Sequence, residues 1–328
     1  MTIENIVNIV KGEIVNSPKV TKVESATIYQ SKVESGDLFF CVDNSEASKA
    51  VEKGAYAIVY EGNLEIEDSE IAYIKVDSIK KATTNFLRYI LTQKESKIYY
   101  ISDIATTYIK QITNKKSTAF TILPDSWQKS FETILNSNYD IFVTNSKEYA
   151  SAITPNYIEY QKKADGYIIS SSLLRTTFRL EKFVYQNIEI PPFFIEELKK
   201  AISFAKELQL NYDINKIRYN KKFLPYFIDN NLNSVTKGST QKVLISVDKI
   251  DTINKALSFL KEQGRWSKSI VLTPPKTKIE LIDRPFWVKS SDEAKEILKK
   301  EHFNYAFLYN LDINSIINKE QNIVNLFD

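Results

Sequence analysis

Short apolar runs alternate with amphipathic stretches along most of this chain, and that alternation constrains its fold more than any other feature. Between Gly36 and Tyr60 the hydrophobic period reads strand, helix, strand, and residues 71–76 add another strand. Ser78 then stands where a helix cap belongs, ahead of an apolar face made by Ala82, Phe86, Leu87, Ile90 and Leu91. A strand over 98–102, a helix from near Ala105, a strand over 119–123, a helix start at Pro124-Asp125-Ser126 and a buried strand over 139–144 follow. In the last third, strands at Lys242–Val247, Ser269–Thr273 and Tyr305–Tyr309 are separated by helices over 252–262 and 291–301. Strands joined by helices predict parallel sheets with crossover connections, hence an α/β fold. The segments fall into three predicted domains, 1–95, 96–218 and 219–328.

Composition narrows the function classes. The 328 residues are 43% hydrophobic, enough for a core in each domain. Lys and Arg total 44 against 41 Asp and Glu, a net charge of +3 with the signs interleaved, so no basic stripe follows a nucleic-acid backbone. One cysteine excludes an internal disulfide and a thiol metal cluster. Cys41, after two phenylalanines, reads as a buried inert thiol, and His302 as a helix-end residue. No stretch reaches the roughly 20 apolar residues of a membrane span, so a cytoplasmic protein is expected.

Three sets of residues carry a resemblance to a known family. Gly36-Asp37-Leu38-Phe39 is followed by Lys53-Gly54-Ala55 and by Ala57-Ile58-Val59-Tyr60-Glu61. Ile190-Pro191-Pro192-Phe193-Phe194 precedes a helix over 201–208, and the last third carries 255–260, 269–272 and 292–298. In that order they resemble the Mur ligases, which attach amino acids or dipeptides to UDP-MurNAc, and the last third resembles the MurF type that adds D-Ala-D-Ala. The resemblance implies a three-domain architecture with a shortened central parallel-sheet domain and a Rossmann-like C-terminal domain.

The family's chemistry, however, is thinned at each expected position. A phosphate loop needs glycines to turn its N–H groups on the phosphates and a lysine to neutralise them. Here the segment Lys97-Ile98-Tyr99-Tyr100-Ile101-Ser102-Asp103-Ile104-Ala105-Thr106-Thr107 has neither glycine nor loop lysine, and no glycine lies between Gly62 and Gly166. Asp103 puts a carboxylate where the resemblance expects a triphosphate. Thr106 and Thr107 stand as remnants of a magnesium-binding hydroxyl or as helix-start threonines, and Lys110 as a forward-reaching cation or a solvated lysine. The strand that should end in a metal-binding glutamate runs into Thr144-Asn145. The UDP-contacting triplet is reduced to Tyr29-Gln30-Ser31, leaving Ser31 and Lys32 as candidate contacts. Asp248 stands in what remains of a substrate-binding segment, where it reads as a strand-end cap.

These losses predict a pseudoenzyme without ATP-dependent ligation, a cofactor or a metal, acting through a cell-wall synthesis partner. The alternatives are a sensor that still binds a UDP-MurNAc peptide and a divergent active ligase. Trp127, Trp266 and Trp287, in or near loops, offer a further interaction cue.

Overall fold

The structure, a computed structural model, describes residues 1–113, 119–282 and 285–318; the end of the third predicted domain, 319–328, lies outside them. The chain forms two compact units, Met1–Thr106 with Lys115–Gln161, and Thr107–Asn114 with Lys162–Asp328.

The first unit opens with α1 (Ile3–Val10), capped by the Thr2 hydroxyl, which accepts from Asn5 N. Ile3, Ile6 and Val10 recur on one face and are buried. The helix stops at Lys11, in the left-handed region, and at Gly12. A Cβ on Gly12 would lie 2.7 Å from Ile74 Cγ2 and 2.9 Å from Lys75 O, so only glycine lets the next strand press this closely. That strand is β1 (Glu13–Ile14), followed by β2 (Ala26–Thr27), β3 (Leu38–Phe40), α2 (Ala47–Glu52), β4 (Ala57–Glu61) and β5 (Ala72–Val76). The sheet order is β1-β5-β4-β3-β2, parallel except where β1 meets β5.

Helix α3 (Ile79–Gln93) has the predicted Ser78 cap, which accepts from Lys81 N, and buries Ala82, Phe86, Leu87 and Leu91. It shares one core with the second sheet of this unit, built from β6 (Lys97–Tyr100), α4 (Asp103–Ile112), β7 (Thr121–Ile122), α5 (Trp127–Asn136), β8 (Ile141–Thr144), α6 (Lys147–Ile153) and β9 (Ile158–Glu159). The order is β7-β8-β6-β9, all parallel as predicted. Phe40 of β3 ties the two sheets together, its ring 5.2 Å from Phe86 of α3 and 5.1 Å from Phe131 of α5. The division between the compact units falls inside α4, after its first turn.

The second unit contains elements that periodicity does not announce. β10 (Gly166–Ser171), β11 (Thr176–Leu180) and β12 (Phe183–Ile188) form a three-stranded antiparallel sheet in chain order. α7 (Ile195–Glu207) begins earlier than the helix read from 201–208, because Ile195 and Leu198 already face inward. β13 (Leu224–Ile228), β14 (Lys242–Val247), α8 (Ile250–Gln263), β15 (Ser269–Thr273), β16 (Phe286–Trp287), α9 (Ser291–Lys300) and β17 (Tyr305–Tyr309) complete it. The sheet order is β13-β14-β17-β15-β16, with β13 antiparallel and the rest parallel. Strands β14, β15 and β17 match the sequence reading residue for residue. No described helix is long and apolar enough to cross a membrane.

Candidate functional site

In an open parallel sheet, ligands bind at the carboxyl edge where successive connections leave in opposite directions. The β6 connection runs across β8 to β7, whereas the β8 connection runs across β6 to β9. The ends of β6 and β8 are therefore the switch point of this sheet, and the glycine-free segment 97–107 runs through it.

The turn from β6 into α4 is closed by its own side chains. Ser102 Oγ accepts from Ala105 N at 3.3 Å, the bond of a helix cap. Thr106, 2% exposed, turns its hydroxyl inward and donates to Ile101 O at 3.1 Å. Thr107 follows half-buried, and Lys110 is exposed. Lys110 starts seven residues beyond Asp103, about 10 Å along the helix axis, so its backbone is remote from the first-turn N–H groups. Across the edge, Thr144 Oγ1 accepts from Ser146 N at 3.2 Å. Asn145 Nδ2 donates to Asp103 Oδ1 and to Asp125 Oδ1, both at 3.4 Å. These bonds are long, and the cluster gathers two carboxylates, a field that repels phosphate.

The candidate sugar-nucleotide contacts lie in the 3₁₀ turn Gln30–Lys32. Ser31 is exposed, and its carbonyl accepts from Lys53 Nζ at 2.9 Å. Lys32 Nζ lies 3.2 Å from Glu132 Oε2. Glu132, on α5, is 5% exposed and is the functional-looking residue that the sequence reading missed. Its carboxylate accepts from Thr27 Oγ1 at 2.6 Å, Ile28 N at 2.7 Å and Asn136 Nδ2 at 2.9 Å as well as from Lys32. An internal anion thus occupies the cation that a nucleotide phosphate would need. No local signal marks Glu132, because a helix glutamate beside Phe131 reads like any surface acid.

A cavity of about 620 Å³ lies between α3, α5 and α6 beside the ends of β7 and β8. Trp127, Phe131 and Tyr149 contribute to its wall, together with Lys80, Asp125 and Glu148 at charged positions. Burial drives the Tyr149 phenol far above the ordinary range, against a smaller lowering by the neighbouring Ser130, so it stays protonated.

In the second unit Asp248 directly follows the end of β14. Its Oδ2 pairs with Lys222 Nζ at 2.7 Å, and the residue at the α8 cap position is Lys249, which makes no side-chain cap bond. A lysine side chain has no acceptor to offer the helix N–H groups. His302 is exposed just beyond α9, as read from the sequence, and Cys41 is 1% exposed. Among the described residues, no group of three or more His, Cys, Asp or Glu is placed to hold a metal ion. Trp266 and Trp287 are 74% and 54% exposed, while Trp127 is half-buried.

The sequence matches no family model and no curated protein. Its fold does have relatives among solved structures. A crystal structure of MurF from Acinetobacter baumannii superposes with a TM-score of 0.54 at 11% identity, covering 94% of this chain and 95% of that one. The MurF ligase of Thermotoga maritima, solved in complex with ADP, gives 0.52 at 12% identity over 90% and 96%. Identities this low speak for shape alone, and in shape this α/β chain resembles the Mur ligases, with MurF structures among its neighbours.

Proposed function

We propose that this chain has kept the Mur ligase fold without ATP-dependent ligation, and that it serves peptidoglycan synthesis in the cytoplasm as a scaffold or regulator that binds another cell-wall protein. The observation that carries this reading is the β6–α4 turn. Its Ala105 N–H is capped by Ser102, its Thr106 hydroxyl is spent on Ile101 O, and its mouth holds Asp103 and Asp125 around Asn145. Phosphoryl activation depends on positioning and on neutralising the phosphate charge. A site lacking the loop glycines and lysine, and lined by carboxylates, supplies neither. The Lys32–Glu132 pair argues against the sensor alternative in the same way, since the cation it requires is already engaged.

The test is a calorimetric titration with ATP and magnesium beside an active Mur ligase, followed by an assay for UDP-MurNAc-pentapeptide from the tripeptide, D-Ala-D-Ala and ATP. Neither heat nor product is expected. Formation of pentapeptide would refute the reading.

A further inference from the structure

The antiparallel sheet of the second unit gathers exposed apolar residues on its two outer strands. Tyr167, Ile168 and Ile169 of β10 are 59%, 40% and 50% exposed, and Phe183 and Val184 of β12 are 56% and 51% exposed. β10 ends the sheet, pairing only with β11, and the run Gly166–Ser171 has no charged residue and no proline. Proteins ordinarily guard such an edge with charges, proline, a bulge or a covering segment, because its outer N–H and C=O groups invite another strand; here a register shift falls between Ile168 and Ser170 and Lys199 Nζ donates to Gly166 O at 3.1 Å, so the open stretch is 167–171. One face also carries positive charge. Register places Tyr167, Arg179 and Val184 side by side across the three strands. Arg179 spends only its Nε, on Glu181 O at 2.8 Å, and Lys182 leans over the Phe183 ring; neither has a carboxylate partner among the described ion pairs.

We propose that β10 is the docking edge for an extended partner segment that alternates apolar and acidic side chains, adding as a fourth strand with a carboxylate reaching Arg179. Main-chain pairing supplies affinity in this mode, and side chains on alternate faces supply specificity. Charge selects the occupant: Arg179 and Lys182 have no carboxylate partner among the described ion pairs, so an acidic segment is favoured over a basic one. The inference rests on the reading that this chain works by binding a protein, and it names the chemistry of that protein's contact.

The experiment uses the full chain and two fluorescein-labelled hexapeptides, one alternating glutamate and valine, the other lysine and valine, followed by fluorescence polarisation and by amide hydrogen exchange. Saturable binding of the acidic peptide, at least tenfold tighter than the basic one, is expected, with new protection at 167–171. Arg179→Glu should reverse the preference, and Ile169→Lys, an exposed change that leaves the core alone, should weaken both peptides. Absence of saturable binding at millimolar peptide, equal affinity for the two, or protection elsewhere would overturn the proposal. So would a concentration-dependent dimer abolished by Ile169→Lys, which would make the occupant a second copy. Ligation activity beside intact peptide binding would remove only the proposed function; failed peptide binding without ligation would remove only this edge.

Discussion

Replacing Glu132 by alanine tests whether the buried carboxylate organises the first unit. The side chain is 6% exposed and accepts four hydrogen bonds, two of them from Thr27 Oγ1 and Ile28 N, both in buried surroundings. Orphaning each of those donors costs about 1–3 kcal/mol, so Glu132→Ala should destabilise the unit by about 3–5 kcal/mol. Glu132→Gln keeps one acceptor oxygen for Thr27 and Ile28 and presents an amide to Lys32 and Asn136, a loss of about 1–2 kcal/mol. Lys32→Ala should cost no more than about 1 kcal/mol, because that side chain is 56% exposed and its charge is screened by water. The ranking is read from urea unfolding followed by Trp127 fluorescence, in a background where Trp266 and Trp287 are phenylalanine so that only the first unit reports. Equal losses for Lys32→Ala and Glu132→Ala would refute the argument, since the exposed partner would then matter as much as the buried one.

Phe40→Ala should also cost about 3–5 kcal/mol in the same assay, because Phe40 is fully buried and its ring joins Phe86 and Phe131 across two sheets; a loss below about 1 kcal/mol would show that the rings do not hold the sheets together. Burial, reinforced by Glu46 and Asp43, pushes the Cys41 thiol up to about 12 from an ordinary 9.0. The native thiol should therefore resist a disulfide reagent at pH 8 and react promptly once urea unfolds the chain, and comparable rates in the two states would refute its burial. Because the folded value is the higher one, its contribution to stability is full below about pH 9 and is lost as pH climbs toward about 12.

Elements whose formation depends on nearby residues were legible in the chain. The caps at Ser78 and Ser126 each satisfy a helix N–H three residues on, so their effect is written within one turn. β14, β15 and β17 are sandwiched in a parallel sheet, and their continuous apolar runs gave their ends to the residue. The absence of glycine from the β6–α4 turn was equally plain, since a residue type is either present in a turn or absent from it. The sheet β10–β12 was not legible, because its strands mix Ser, Thr and Asn with exposed apolar residues, and a register shift in each pairing interrupts their alternation. Lys32 could be named as a candidate cation but not as a neutralised one. Its partner stands 100 residues away, and so do the other long-range bonds that fill Glu132's remaining acceptor sites. The sequence alone thus determined the α/β pattern and the absence of glycine from the β6–α4 turn, both local properties of the chain. Packing decided which charges meet, Glu132 with Lys32, Asp103 and Asp125 around Asn145, Asp248 with Lys222, because distance in space between side chains is set only when the sheets close on one core.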